Sequence, residues 1–185
     1  MESVILKIDE YHFEEWFNNR LTVGANPESL KFIQPFETII SVSDRIPSFF
    51  NEFQGNYYWL PMPEIAKGEA MSLTSTFGAM LAIYQSYKNN SRCFVHCEMG
   101  INRSKFVESC FYYLVLGRHL ESEDARIIGG RGFINALFKN TAKSIPLPLK
   151  KMECFLDILA EKCFHDDVSQ NLLDDILLEL SRRYP

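Results

Sequence analysis

Apolar positions recur with two different periods along this chain. Short apolar runs punctuate the N-terminal half. Val4 to Ile8 alternates as a strand does, Leu21 to Gly24 reads as a strand ending in a turn, and the β-branched run Thr38 to Val42 predicts a central strand. Tyr57 to Met62 predicts another, stopped by Pro61 and Pro63, and Cys93 to Val95 a further one. Between these runs the period lengthens. Tyr11 to Phe17 predicts a short aromatic-rich helix, and Pro27 to Leu30 opens another with proline and acid in its first turn. Asn51 to Asn56 is turn-rich. Apolar positions 73, 77, 80, 81, 84 and 87 keep helical spacing, so Leu73 to Lys88 predicts a long helix ended by Asn89, Asn90 and Ser91.

Beyond Arg103 the pattern is helical only. A helix opened there carries Phe106, Val107, Cys110, Phe111, Leu114 and Val115, and stops at Gly117. Glu123 to Ile128 predicts a short helix closed by Gly129 and Gly130, Phe133 to Phe138 another, and Leu149 to Cys163 and Leu172 to Leu180 two more. Strands interleaved with helices, then helices alone, predict an α/β fold. We expect a small central, mostly parallel sheet flanked by helices, with an all-helical C-terminal third, in a single domain over residues 1–185.

Composition narrows the function classes. A hydrophobic content of 46% with 23% charged residues is that of a globular chain. No apolar run reaches membrane-spanning length, and the first residues lack a signal-peptide pattern. Five cysteines lie inside apolar patterns, which predicts reduced thiols and a cytoplasmic protein. A net charge of −5 without a basic cluster argues against nucleic acid or anionic membrane as partners.

Candidate chemistry concentrates in Val95 to Ser104. The apolar run delivers Cys97 into a short loop, Arg103 follows, and a helix begins. A thiol at a strand end beside a helix N-terminus sees unpaired N–H groups and the positive end of the helix dipole, which favour thiolate. The loop amides of Glu98, Met99, Gly100, Ile101 and Asn102 form a concave anion site, with Gly100 supplying the unusual dihedrals. Arg103 adds a charged fork for two phosphoryl oxygens, and Ser104 can hydrogen-bond the sulfur as nucleophile and leaving group. No metal-ligand spacing is present, since Cys93 and Cys97 lie along one strand, and no cofactor is implied.

His96, Cys97, Gly100, Arg103 and Ser104 together resemble the signature of the cysteine-dependent protein tyrosine and dual-specificity phosphatases. Leu21–Gly24, Ile39–Asp44 and Trp59–Pro63 resemble that family's sheet segments, and Glu123–Ile128 and Ile145–Leu149 its C-terminal part. The resemblance covers roughly residues 20–160, leaving the N-terminal strand and helix and the C-terminal helix as additions. It implies hydrolysis of a phosphomonoester through a phosphocysteine, on a phosphorylated protein or small phosphomonoester. It also implies that His96 holds the loop and tunes the thiolate.

The family's general acid is an aspartate after the strand that here reads Trp59 to Met62. This chain has no aspartate between Asp44 and Cys97, and Glu64 falls where it would sit; Asp44 and Glu69 are the alternatives. Glu98 and the lack of lysine in the loop argue against polyanionic substrates. Tyr57, Tyr58 and Trp59 could line a slot for a phosphoaryl group, although such positions are more often core. Two rival readings remain at this level. One is a phospho-ligand binding module without efficient catalysis; the other is a sulfurtransferase or arsenate reductase using a similar loop.

Overall fold

The computed structural model describes residues 9–63, 73–116 and 118–137. The expected strand at Val4–Ile8, the helices at Leu149–Cys163 and Leu172–Leu180, and Glu64 and Glu69 lie outside the described residues. The chain divides into two compact units, one of residues 11–108 and one combining residues 1–10 with 109–185.

The first unit is built on four parallel strands, β1 (Leu21–Gly24), β2 (Thr38–Ser41), β3 (Asn56–Trp59) and β4 (Cys93–His96), in the order β1-β4-β2-β3. Burial follows that order. Every residue of β2 and β4 is buried, as expected of central parallel strands covered on both faces, whereas β1 and β3 are largely open. The long apolar runs thus occupy the middle of the sheet, and the mixed ones its edges. The edge position of β3 also corrects one expectation. Tyr58 and Trp59 are not core residues but stand 40% and 47% exposed.

One sheet face carries Ile39 and Phe94, which pack with Ile33 of α2 (Leu30–Ile33) and with Phe36, Phe49, Phe53 and Tyr57. Phe49 belongs to a 3-10 turn at Ser48–Glu52, just ahead of and overlapping the segment read as turn-rich. On the other face α3 (Leu73–Lys88) packs against β2 and brings Ser86 to the Cys93 thiol. Asn90, at φ 51°, ends α3 in the left-handed conformation that asparagine tolerates. The first helix, α1 (Glu10–Arg20), is longer than the aromatic stretch predicted. Its Trp16 donates to the Ser91 carbonyl at 3.1 Å, and Phe13 and Trp16 meet Tyr87 edge to face.

Helix α4 (Arg103–Leu116) runs out of the first unit, and α5 (Ala125–Leu137) belongs to the second. The two short helices expected around Gly129 and Gly130 are one continuous helix. A glycine inside a helix costs about 1 kcal/mol against alanine, which Ile127 and Ile134, both buried, offset by packing. A Cβ added at Gly129 or Gly132 would meet nothing within 4 Å among the described residues. Gly129→Ala and Gly132→Ala should therefore each stabilise the protein by about 0.5–1 kcal/mol. Chemical denaturation measures this, and an unchanged midpoint would contradict it.

Candidate active site

Strand β4 ends at His96, and the chain turns at once through Cys97 to Asn102 into α4. Several contacts fix this loop. Cys97 N–H donates to the Gly24 carbonyl at 3.3 Å, Asn26 N–H donates to the Glu98 carbonyl at 3.3 Å, and Met99 bridges to Ala25. The residues just after β1 thus form one wall of the loop. Gly100 sits at φ +67°, and a Cβ there would collide with the Ala25 nitrogen, so only glycine fits. Its N–H donates to Cys97 Sγ at 3.2 Å, and Ser104 Oγ lies 3.3 Å from the same sulfur.

The thiol's acidity follows from these contacts. Burial raises the Cys97 pKa, but the Ser104 hydroxyl and the amides of Ser104, Gly100 and Ile101 together outweigh it, and the net direction is down. The other described cysteines behave oppositely. Burial pushes Cys93 up to about 12 despite Ser86, and drives Cys110 well above its ordinary value. Three cysteines in apolar sequence thus separate into one acidic thiol and two inert ones.

Arg103 is the first residue of α4 and is buried. Its Nη1 donates to the Met62 carbonyl at 3.0 Å and to Asp44 Oδ1 at 3.4 Å, and its Nη2 lies 3.9 Å from Glu98 Oε2. Glu98 also pairs with Arg45 at 3.6 Å. Asp44 is exposed. A hydrogen bond from its own backbone holds its carboxyl below the ordinary range, against slight desolvation, with Arg103 and Arg45 adding to the effect. Asp44 is therefore an ionised anchor for Arg103, a poor state from which to donate a proton near neutrality. The sequence offers it only as a candidate acid. Its place just past the C-terminal end of a predicted central strand, where open α/β sheets bind ligands, is the signal the sequence does hold.

His96 is fully buried, stacked on Phe94 at 5.4 Å between ring centroids. Burial lowers its pKa to about 4, opposed by a backbone contact with Cys97. The imidazole is neutral, which rules it out as an ion-pair partner for the thiolate. Of the predicted loop residues, Glu98 and Met99 present exposed side chains, and Ile101 and Asn102 are half-buried.

Over 88 residues, or 47% of this chain, the sequence is 31% identical to dual specificity protein phosphatase 1 of Homo sapiens. The matched region is 22% of that relative's length, so the chain spans only a minor part of it. No family model matches. No helix among the described residues is long and apolar enough to cross a membrane.

The buried titratable groups predict a pH dependence. His96, near 6.5 when unfolded and about 4 when folded, contributes stability that is present above pH 6.5 and is lost as pH falls toward 4, an effect of about 3 kcal/mol at most. Half-buried Glu108 is raised to about 7, by burial against Lys105, and has the opposite sign: its stability is present below its unfolded value and is lost as pH rises through 7. The two slopes oppose each other between about pH 4.5 and 6.5. Glu108→Gln should therefore steepen the loss of stability on acidification, measured by urea denaturation at several pH values. A flat profile in that variant would contradict the His96 assignment.

Proposed function

We propose that this chain hydrolyses phosphomonoesters through a phosphocysteine intermediate, as a cysteine-dependent protein tyrosine or dual-specificity phosphatase. The observation that carries the proposal is the one acidic thiol among the described cysteines. Cys97 Sγ receives the Gly100 amide and the Ser104 hydroxyl, at the N-terminal end of a helix whose first residue is a buried arginine. The partial match to a dual specificity phosphatase supports the same reading.

In the proposed reaction the Cys97 thiolate attacks phosphorus, forming an S–P bond as the P–O bond to the leaving group breaks. The amides of residues 98–103 and the Arg103 fork take up charge on the equatorial oxygens. Glu64 gives a proton to the leaving oxygen, then as carboxylate takes one from the water that cleaves the S–P bond and releases phosphate. Ser104 stabilises sulfur as the leaving group in that second step. The substrates are phosphorylated proteins or small phosphomonoesters, and the steps use neither metal nor cofactor. Asp44 is held ionised beside Arg103, which leaves Glu64 and Glu69, and Glu64 is the one that falls where the resembled family carries its aspartate.

Hydrolysis of para-nitrophenyl phosphate in the presence of EDTA should fall to background in Cys97→Ser. Well-folded protein that binds phosphate or vanadate without turnover would instead identify a phospho-ligand binding module. Glu64→Gln should slow alkyl phosphates by about a hundredfold but para-nitrophenyl phosphate by less than about tenfold, because only a poor leaving group needs the proton. An equal loss on both substrates would remove Glu64 from the acid role.

A further inference from the structure

Behind the nucleophile, polar atoms converge where the sheet is otherwise apolar. Ser41 Oγ, Tyr57 Oη and both ring nitrogens of His96 are buried, and none makes a hydrogen bond of good geometry among the described residues. Their meeting is a matter of register. Ser41 pairs with His96 across β2 and β4, and Tyr57 pairs with Ile39, two residues before Ser41, across β2 and β3. All three side chains therefore share one sheet face. The Tyr57 and His96 rings reach toward each other over β2, with centroids 6.5 Å apart and planes at 62°. Ser41 and His96 are both 0% exposed.

Two hydroxyls and a neutral imidazole each offer donor and acceptor capacity. Leaving them all unpaired would be costly, and protein interiors relieve such clusters with a buried water making about three hydrogen bonds. We propose that Ser41, Tyr57 and His96 hold one internal water, forming a positioning network that fixes the imidazole and, through the adjacent Cys97 backbone, the loop that stabilises the thiolate. Tyr57 and Ser41 are positioning residues here, since neither touches a reacting atom. Ser41 lies close enough to the phenol to oppose the rise in its pKa that burial causes, but without the geometry of a direct hydrogen bond. The imidazole's backbone contact with Cys97 is the link to the loop.

The inference rests on Cys97 being the acidic thiol, but its test does not require turnover. In the full-length chain, Cys97 alkylation by iodoacetamide is followed by mass mapping across about pH 5 to 9. Tyr57→Phe and Ser41→Ala should each raise the apparent pKa by about half a unit or more, giving roughly threefold slower alkylation below the midpoint. Tyr57→Phe keeps the ring and its packing, so it serves if Ser41→Ala fails to fold. Its thermal midpoint should drop by about 2–4 °C as the water loses a partner. An alkylation profile superimposed on wild type overturns the network. So does a rise in thermal midpoint, which would mean that the phenol was an unpaired burden. Failure here leaves the phosphatase reading standing, and failed turnover of phosphomonoesters leaves this thiol measurement unaffected.

Discussion

A guanidinium that is only 7% exposed must be surrounded by acceptors, and that requirement assembles this site. The acceptors around Arg103 come from three places: Asp44 after β2, the Met62 carbonyl after β3, and Glu98 from the loop after β4. Each lies beyond the C-terminal end of a neighbouring strand, the edge at which open α/β sheets bind ligands. Removing the cation would leave the Asp44 and Glu98 carboxylates with only the exposed Arg45 to balance them, so the charge organises the edge as much as it serves a bound anion.

The loop itself is held by a different currency, backbone hydrogen bonding. The Gly24 carbonyl accepts from Cys97 N–H, and Ser104 Oγ lies within 3.4 Å of that same carbonyl while also meeting the sulfur. Strand β1, short and largely open, therefore matters less for its own packing than for where it ends. Its register with β4 sets Gly24 opposite His96, so a one-residue slip would remove the wall against which Gly100 turns.

How much of this could be read in the sequence varies by element. Strand β4, its loop and α4 were legible because an apolar run, a glycine and a charged helix start each have a local cause. The buried central strands were legible as β-branched or apolar runs. The strand order was not, since nothing local to Leu21–Gly24 says that it pairs with Cys93–His96. The continuity of α5 through Gly129 was hidden because glycine signals a stop, while the packing of Ile127 and Ile134 that overrides it is tertiary. The convergence of Ser41 with His96 and Tyr57 is invisible without register, because the three are far apart in the chain and ordinary as residue types. Asp44 stands out for its chemistry, but the backbone hydrogen bond that chiefly lowers its pKa and the Arg103 guanidinium that adds to it both come from the folded chain.

The protonation state of His96 decides what kind of thiolate this site can hold. A cationic imidazole next to a thiol would lower its pKa through charge, and that support would vanish as the imidazole lost its proton near neutrality. Here burial drives the imidazole to about 4, so no such cation exists over the working range. The thiolate is held instead by the Ser104 hydroxyl and by amides that do not titrate. Its stability is therefore independent of pH in the region where a cysteine–histidine ion pair would switch off. The cost appears in the fold, because a neutral buried imidazole destabilises the native state in acid. Acidification should thus weaken the protein's stability through His96 while leaving the hydrogen bonds that hold the sulfur unchanged until the thiolate itself takes up a proton.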